Sequence, residues 1–427
     1  MRQFYKTTYN IASQSADLLK DRMLNWANRF SIHLLLDSNS YKHTIGTFEF
    51  LLGVGTDASP TVTSHIALQN QHERQWWLGH VNYDYKNTLF KGLQTNKKEV
   101  KAFCDFFFFA PDTILYIERD STELVIESIH EPDLIWNEIL ECAPQFDAKL
   151  PKVDFKKALG KNEYCEIVDR LRQHIKDGDC YEINLCNYAY AKDVAINPVA
   201  VFKQLNSASP APFSAFYKVG SSTMMCSSPE RYLTRVGERV YSQPIKGTAR
   251  RSHIAAVDEQ IKVDLRQSIK ERAENVMIVD LVRNDLAQSC KTGSIQVDEL
   301  FGVYTFPHVH QLISTVSGVL KNSNGFSFSP IEKSFPMGSM TGAPKYKVMQ
   351  LIEQYEAVAR GLFSGSVGYI TPDGDFDLNV VIRSLFYNAG TQHLCYQTGG
   401  AITWDSVPEQ EWGEMLLKGE ALERLFR

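Results

Sequence analysis

The chain has 427 residues, of which 44% are hydrophobic and 22% are charged, and its formal net charge at pH 7 is -5. This composition is ordinary for a globular protein and excludes a disordered or fibrous one. The absence of a net positive charge argues against nucleic acid and anionic membrane surfaces as partners, although a small anion can still bind in a locally positive pocket.

The first residues lack the apolar core and small-residue cleavage site of a secretory signal, so we expect a cytoplasmic protein. The longest strongly apolar run, at 106–110, is far shorter than the roughly 20 residues that span a bilayer. It predicts a buried strand instead. Eight cysteines without a Cys-x-x-Cys pair indicate free thiols in a reducing compartment.

The N-terminal part contains apolar, β-rich segments at 31–36, 47–52 and 114–118, bounded by turn-forming residues. They predict antiparallel strands. The pattern lapses at 143–151, between two prolines, which is the candidate linker. We therefore divide the chain into an N-terminal subdomain, residues 1–150, and a catalytic domain, residues 151–427.

In the second unit, apolar residues recur at helical spacing from Asn162 to Lys176, followed by a strand at 181–189. Further helices are predicted at 255–275, 344–359 and 408–425, and further strands at 213–219, 240–245, 312–320, 366–370 and 378–386. Strands grouped beside segregated helices indicate the α+β class.

Two apparent motifs do not point to a site. The segment 53–58 matches a dinucleotide-binding fingerprint, but no helix pattern follows it. His308 and His310 could share one face of a strand, but no third ligand stands at zinc-like spacing, so they are interpreted as ordinary strand residues.

No Gly-x-Ser-x-Gly or Gly-x-Cys-x-Gly turn occurs, so the chain carries no evident glutaminase of its own.

Lys246 lies at the end of an apolar strand, in the segment 244–248, where a proline and a glycine restrict the backbone. Burial disfavours a charged amine, so a sheltered lysine there would lose its proton readily and become a nucleophile. A strand-end salt bridge is an equally good interpretation of the spacing alone.

Two helices are predicted to carry paired carboxylates three residues apart. The pairs are Glu271 with Glu274 and Glu411 with Glu414, and Lys418 follows on the same helical face as Glu414. Magnesium typically binds one or two protein carboxylates together with water and substrate oxygens. The alternative is that each pair is simply a solvated helix face.

Read in order, these elements resemble a family of chorismate-utilising enzymes that includes anthranilate, aminodeoxychorismate, isochorismate and salicylate synthases. The resemblance covers about residues 155–425. It rests on seven ordered motifs, at 178–181, 228–231, 244–248, 274–281, 342–345, 382–384 and 399–400. It implies the anthranilate-synthase-like fold, in which two large, mostly antiparallel sheets pack together with helices on the outside.

Within this family, a lysine in the Pro-Ile-Lys-Gly-Thr element is typical of component I of aminodeoxychorismate synthase, whereas anthranilate synthases usually have alanine there. The resemblance implies that Lys246 attacks ring carbon 2 of chorismate and that ammonia then enters at carbon 4. Glu230 would protonate the departing 4-hydroxyl group and later accept a proton from ammonia. The product, 4-amino-4-deoxychorismate, leads to p-aminobenzoate and folate.

The same resemblance implies a set of binding residues. Mg2+ would be the cofactor, held by Glu274 and Glu414, with Glu271 and Glu411 close by. The enolpyruvyl carboxylate would be bound by Tyr369, Arg383, Lys418 and the backbone of Gly399 and Gly400, and the ring oxygens by Ser339 and Thr341. A separate glutamine amidotransferase subunit, component II, would supply ammonia.

The chain departs from the family pattern at two positions near the expected pocket. Glu182 stands where glutamine is usual, and Gln311 stands where a second histidine is usual. Glu182 could be a second base or could face away. Leu35-Leu36-Asp37-Ser38 resembles an element that lines a tryptophan pocket in regulated anthranilate synthases, but a buried strand end explains it as well.

Two rival functions stay open at this stage. One is an anthranilate synthase component, and the other is a non-catalytic chorismate or tryptophan sensor with the same fold. The identity of the product separates the first from our interpretation. The presence of a candidate nucleophile argues against the second.

Overall fold

The structure is a computed structural model that describes residues 2–41, 45–71, 74–95, 97, 103–143, 149–323 and 325–427. Most of the predicted linker at 143–151 therefore lies outside the described residues. Within the described ranges, no helix combines the length and the apolar character needed to cross a membrane.

The strands, numbered in chain order, are β1 Tyr5–Asn10, β2 Ile32–Asp37, β3 Phe48–Gly55, β4 Thr61–Val62, β5 Trp77–Val81, β6 Phe106–Phe109, β7 Thr113–Glu118, β8 Glu123–Ser128, β9 Lys156–Lys157, β10 Glu182–Ala191, β11 Phe213–Val219, β12 Ser222–Ser228, β13 Arg231–Val236, β14 Arg239–Gln243, β15 Ile245–Arg250, β16 Gln296–Thr305, β17 Val309–Val319, β18 Gly342–Ala343, β19 Ser366–Ile370, β20 Phe376–Asn379, β21 Ser384–Asn388 and β22 His393–Ile402.

The α-helices are α1 Ala16–Ala27, α2 His65–Gln69, α3 Lys86–Leu89, α4 Pro132–Glu141, α5 Lys161–Lys176, α6 Pro198–Ala208, α7 Ala255–Gln267, α8 Ile269–Ala287, α9 Ser329–Ser334, α10 Lys345–Tyr355 and α11 Pro408–Glu423. Short 3-10 helices occupy Tyr83–Tyr85, Gly338–Met340 and Arg424–Phe426.

The strands form two large antiparallel sheets, and both sheets combine strands from before and after residue 150. The first has the order β1-β8-β7-β3-β2-β11-β12-β21-β22-β10-β18, and the second has the order β15-β17-β14-β13-β20-β19-β5-β6-β4. The predicted α+β class is confirmed. The predicted boundary at residue 150 stays a prediction, since the hydrogen-bonded sheets cross it.

One hydrophobic cluster joins the two sheets. It contains Leu34 and Tyr217 from the first sheet and Leu78, Leu233 and Leu378 from the second, all fully buried. A second cluster packs α1, α4 and α6 on the first sheet, and a third packs α5, α10 and α11 beside β10. Strand β10 is buried along nearly its whole length, and its polar residues are buried with it.

Two predicted elements are wrong in their extent. The helix predicted at 255–275 is two helices that meet at Ser268, whose hydroxyl accepts the backbone N–H of Glu271, and the second helix continues to Ala287. The strand predicted at 378–386 is two strands in different sheets, β20 and β21. Arg383, between them, has a φ of 51°, which lies outside the extended region.

Candidate active site

A glycine allows β15, the strand that carries Lys246, to pack closely against helix α8. Gly247 has a φ of 99°, and a side chain added there would lie 2.9 Å from both Glu271 Oε2 and a methyl carbon of Leu312. The pairing of β15 with β17 shifts between Ile245 and Thr248, so the strand is irregular around Lys246 and Gly247. A glycine is required both for the backbone conformation and for the close approach of α8.

Lys246 forms a buried ion pair with the residue that departs from the family pattern. Its Nζ donates to Glu182 Oε1 at 2.7 Å, and the side chains are 11% and 0% exposed, respectively. Glu182 Oε2 is buried and has no hydrogen-bond partner among the described residues. Glu182 therefore faces the lysine and does not point away.

The expectation that burial would leave Lys246 neutral does not hold in this structure. Burial lowers the pKa of Lys246, but the charge of Glu182 and the hydrogen bond to it outweigh that effect, so the net shift is upward. The amine is held as an ammonium ion until its proton is removed. The nucleophile and salt-bridge interpretations of this lysine are thus compatible, because an ion pair can hold the lysine in its protonated form until it reacts.

Glu230 lies in the turn between β12 and β13 and is 5% exposed. Burial raises its pKa from 4.5 to about 7, against the effects of a hydrogen bond from Ser339 and of the charges of Lys246 and Arg383. A carboxyl group that is about half protonated near neutral pH can both give and take a proton. This is the property that the predicted role of Glu230 requires.

Arg383 supplies a positive charge close to Glu230. Burial lowers the pKa of its guanidinium, and the charge of Glu230 opposes that shift. No hydrogen bond or ion pair of this guanidinium exists with any residue that the structure describes. A partly buried guanidinium without a partner is suited to a bidentate contact with a carboxylate.

The two glutamate pairs face one another across the ends of α8 and α11. Burial raises the pKa values of Glu271, Glu274 and Glu411, and each of the three also feels repulsion from another member of the set. For Glu271 that member is Glu414, on the other helix. Burial also favours a raised pKa for Glu414, but Lys418 reverses the shift and lowers it.

Four partly buried carboxylates that repel one another are suited to binding a divalent cation. The cation would neutralise the repulsion, and Mg2+ prefers oxygen ligands. Within the described ranges, however, no three His, Cys, Asp or Glu side chains are close enough together to hold a metal ion. The chemistry of the four glutamates therefore fits magnesium, while their ligand geometry is not formed here.

The glycine pair on β22 lies beside the second glutamate pair. A side chain added to Gly400 would lie 3.4 Å from Glu411 Oε2 and 3.5 Å from Glu414 Oε1. Lys418 donates to the carbonyl of Gly399 at 2.9 Å and to Glu414 at 2.7 Å. The structure thus brings these predicted site residues together.

Ser339 lies in the 3-10 helix Gly338–Met340, and Thr341 follows it next to β10. Ser339 contacts Glu230, as stated above. The hydroxyl of Thr341 is fully buried and donates to carbonyl oxygens of its own loop, the nearer being that of Met337 at 3.2 Å. Its proton is therefore already used, and the predicted donation to a ring oxygen gains no support from these contacts.

Tyr369 does not join the cluster. It lies on β19, where its ring packs against Phe48 and Trp76, and it lines a small cavity between the sheets together with Asp37 and Arg231. In the described part of the chain, no hydrogen bond or ring contact joins Tyr369 to Arg383. Shared binding of one carboxylate by Tyr369 and Arg383 therefore has no structural support.

The same cavity includes most of the segment that resembles a tryptophan-binding element. Leu36, Asp37 and Ser38 line it, and Asp37 accepts a hydrogen bond from Lys20 at 2.7 Å. Whether an amino acid binds there stays a prediction. The two tryptophans at 76 and 77 are both buried in the core.

Sequence analysis missed two residues that hold the site together. Asn275 accepts from Ser314 at 2.6 Å and donates to the carbonyl of Lys246 at 3.5 Å, so it ties the lysine strand to α8. Arg360 pairs with Glu356 at 2.6 Å and donates to the carbonyl groups of Asn184 and Met340. The position of Asn275 next to Glu274 was an available signal. The Glu356–Arg360 spacing was another.

Comparison with known proteins shows the family of this chain. Residues 51–424 match the family of chorismate binding enzymes, and the chain belongs to that family. The chloroplastic aminodeoxychorismate synthase of Arabidopsis thaliana is 34% identical over 81% of this chain, which spans only 39% of that relative's length. Component 1 of aminodeoxychorismate synthase from Bacillus subtilis is 29% identical. The match covers 81% of this chain and 76% of the Bacillus protein.

Among solved structures, anthranilate synthase component I from Streptococcus pneumoniae superposes with a TM-score of 0.75 at 22% identity, over 99% of this chain and 92% of that one. This similarity confirms the predicted anthranilate-synthase-like fold. At such identity it carries no statement about the reaction.

Proposed function

We propose that this chain is component I of an aminodeoxychorismate synthase, which converts chorismate and ammonia to 4-amino-4-deoxychorismate for p-aminobenzoate and folate synthesis. The observation that carries the proposal is that the mostly buried Lys246 interacts electrostatically with Glu230, whose pKa is about 7. The names of the plant and Bacillus relatives support it. The reaction would be an amination of the transferase class.

In this proposal, the amine of Lys246 forms a bond to ring carbon 2 while both ring double bonds shift and the carbon 4 to oxygen bond breaks. Glu230 in its acid form gives its proton to the departing hydroxyl, which leaves as water. Ammonia then adds at carbon 4, both double bonds shift back, the lysine is expelled from carbon 2, and Glu230 takes a proton from the new nitrogen. Covalent catalysis of this kind replaces one difficult substitution by two easier ones.

Substrate binding would use the residues that the structure leaves available. Arg383 would contact the enolpyruvyl carboxylate, with Lys418 and the backbone of Gly399 and Gly400 nearby. Glu274 and Glu414, assisted by Glu271 and Glu411, would hold Mg2+. The metal would supply positive charge for the ring carboxylate.

The rival amination, which gives anthranilate, is less well supported because a lysine nucleophile is typical of the aminodeoxychorismate branch. A non-catalytic sensor would have no use for a buried lysine beside a carboxyl group with a pKa near neutral. A perturbed pair of this kind is typical of catalytic sites.

Ammonia would come from glutamine through a separate amidotransferase subunit. The term component 1 in the Bacillus relative's name supports a two-component enzyme. A cytoplasmic location fits the cysteines, since all eight lie in the described ranges and none forms a disulfide.

The decisive experiment incubates the purified chain with chorismate, magnesium and ammonium salt, and identifies the product by mass and fluorescence. We expect 4-amino-4-deoxychorismate, with glutamine unable to replace ammonium until the amidotransferase is added. Lys246→Ala is the matched control. Anthranilate as the product, or no consumption of chorismate at all, would contradict the proposal, and glutamine use by the chain alone would contradict the separate subunit.

A further inference from the structure

We infer that Glu182 is the proton acceptor that converts Lys246 from an ammonium ion to a nucleophilic amine, so that it acts on the reaction through the lysine. This inference rests on the proposed function. It assigns a role to a carboxylate where the family usually has a glutamine, which cannot accept a proton in this way.

The geometry suits direct transfer of a proton. The Nζ to Oε1 distance of 2.7 Å is that of a short charge-assisted hydrogen bond. The two groups come from different sheets, Glu182 from the first residue of β10 and Lys246 from β15. Because the two atoms are in direct hydrogen-bond contact, no water molecule is needed to carry the proton between them.

The hydrogen bonding of the Glu182 carboxylate is one-sided among the described residues. Its second oxygen, Oε2, is buried without a hydrogen-bond partner in the described part of the chain. The hydrogen bond from Lys246 to Oε1 is therefore the contact along which a proton can move. A neutral acid and a neutral amine also leave less charge to be buried than an ion pair does.

Other charged groups face the pair from neighbouring elements. Those that influence the charge of Lys246 or are influenced by it are Glu274 and Glu271 on α8, Glu230 after β12, and Glu414 on α11. Among the described residues, only Glu182 forms an ion pair with the Lys246 amine. The acceptor is therefore assigned to the group already in hydrogen-bond contact.

The step balances within the pair. The Lys246 N–H bond breaks, its proton moves to Glu182 Oε1, and the freed electron pair on nitrogen forms the bond to ring carbon 2. When ammonia later expels the lysine from carbon 2, the amine takes the proton back from Glu182. The pair thus begins and ends the cycle as an ion pair, and no oxidant or reductant is needed.

This assignment predicts a particular pH dependence. While the wild-type pair shares one proton, the fraction with a neutral lysine does not depend on pH, because moving the proton inside the pair exchanges nothing with water. In Glu182→Gln the lysine must lose its proton to solvent. Below its pKa, the reactive fraction then rises about tenfold for each unit of pH.

The test compares single-turnover rates of 4-amino-4-deoxychorismate formation for wild type, Glu182→Gln and Glu182→Asp. Enzyme is in excess over chorismate, and free ammonia is held constant from pH 6 to 8. Groups that do not interact with Glu182 or Lys246 titrate alike in the three proteins, so their titration cancels in the rate ratios. Binding of chorismate and the urea midpoint of each variant establish that it is folded.

At pH values below the pKa of Lys246 in Glu182→Gln, we expect the ratio of the wild-type rate to the variant rate to fall about tenfold for each unit of increasing pH. Glu182→Asp retains a carboxylate and should give a ratio that is constant with pH, whatever its absolute rate. A constant ratio for Glu182→Gln, including equal rates, overturns the inference.

Failure of the proposed function gives a different result. In that case wild type forms no 4-amino-4-deoxychorismate, or Lys246→Ala forms it at the wild-type rate. Activity that depends on Lys246 together with a constant ratio for Glu182→Gln would leave the function standing and remove only the role of Glu182.

Discussion

Replacing Glu230 by glutamine should stabilise the protein while it destroys activity, and the stabilisation should depend on pH. Glu230 is 5% exposed, and burial raises its pKa from 4.5 to about 7. The folded protein therefore holds this proton more tightly than the unfolded chain does. As pH rises from 4.5 to 7, the unfolded state gains from ionisation that the folded state does not share, so stability falls.

The size of the effect follows from the shift. A change from 4.5 to about 7 corresponds to about 3 kcal/mol of unfolding free energy, fully expressed above pH 7 and absent well below pH 4.5. Glutamine has nearly the same shape, remains neutral, and can still accept a hydrogen bond from Ser339. The difference between Glu230→Gln and wild type should therefore grow with pH and level off above about pH 7.

Urea unfolding of both proteins at pH 4.5, 6, 7 and 8.5, without metal or substrate, measures this difference. Other titrating groups are common to the two proteins and cancel in the comparison. We expect the variant to gain about 3 kcal/mol relative to wild type between the lowest and highest pH. Ammonium-dependent activity at pH 7.5 should be lost in the same variant. A stability difference that is independent of pH would refute the assignment of a raised pKa to Glu230.

Three further predictions concern the other predicted site residues. Lys246→Ala should lower the amination rate at least about a thousandfold while chorismate binding stays measurable, and a rate near wild type in product assays would exclude covalent catalysis. Glu274→Gln or Glu414→Gln should weaken chorismate binding about tenfold or more in titrations with magnesium, and excess chelator should silence wild type, whereas full activity with chelator would exclude the metal. Tyr369→Phe should leave the KM for chorismate within about twofold, because its ring lies in the cavity between the sheets, and a large rise in KM would show that it binds substrate after all.

Sequence alone predicts elements well where one local signal dominates. The strand 366–370 has its predicted bounds, and the helix predicted from Asn162 to Lys176 differs by one residue, since it begins at Lys161. In both cases the apolar spacing and the flanking turn residues indicate the same element. The helix break at Ser268 was missed because residues 255–275 contain no glycine or proline. A signal was nevertheless present, since Ser268 followed by Glu271 is the spacing of a helix N-cap.

Contacts between distant segments could not be predicted in this way. The split of 378–386 into two strands depends on which sheet each half joins, and a period of two residues is the same in both sheets. For Tyr369, the sequence predicted the strand correctly but could not tell which of two covered faces its side chain occupies, since β19 is buried on both.

The pairing of Lys246 with Glu182 shows why the site needed both kinds of information. The motif around Lys246 indicated a nucleophile, and burial alone implied a neutral amine. The charge state instead depends on a carboxylate 64 positions away in the sequence, on a strand of the other sheet. A buried lysine without a partner tends to be neutral, because burying its charge would destabilise the fold. A lysine paired with a carboxylate stays charged until the carboxylate accepts its proton. The departure from glutamine at position 182 therefore changes how the nucleophile is stored and released, while the surrounding residues that would bind the substrate can remain as they are.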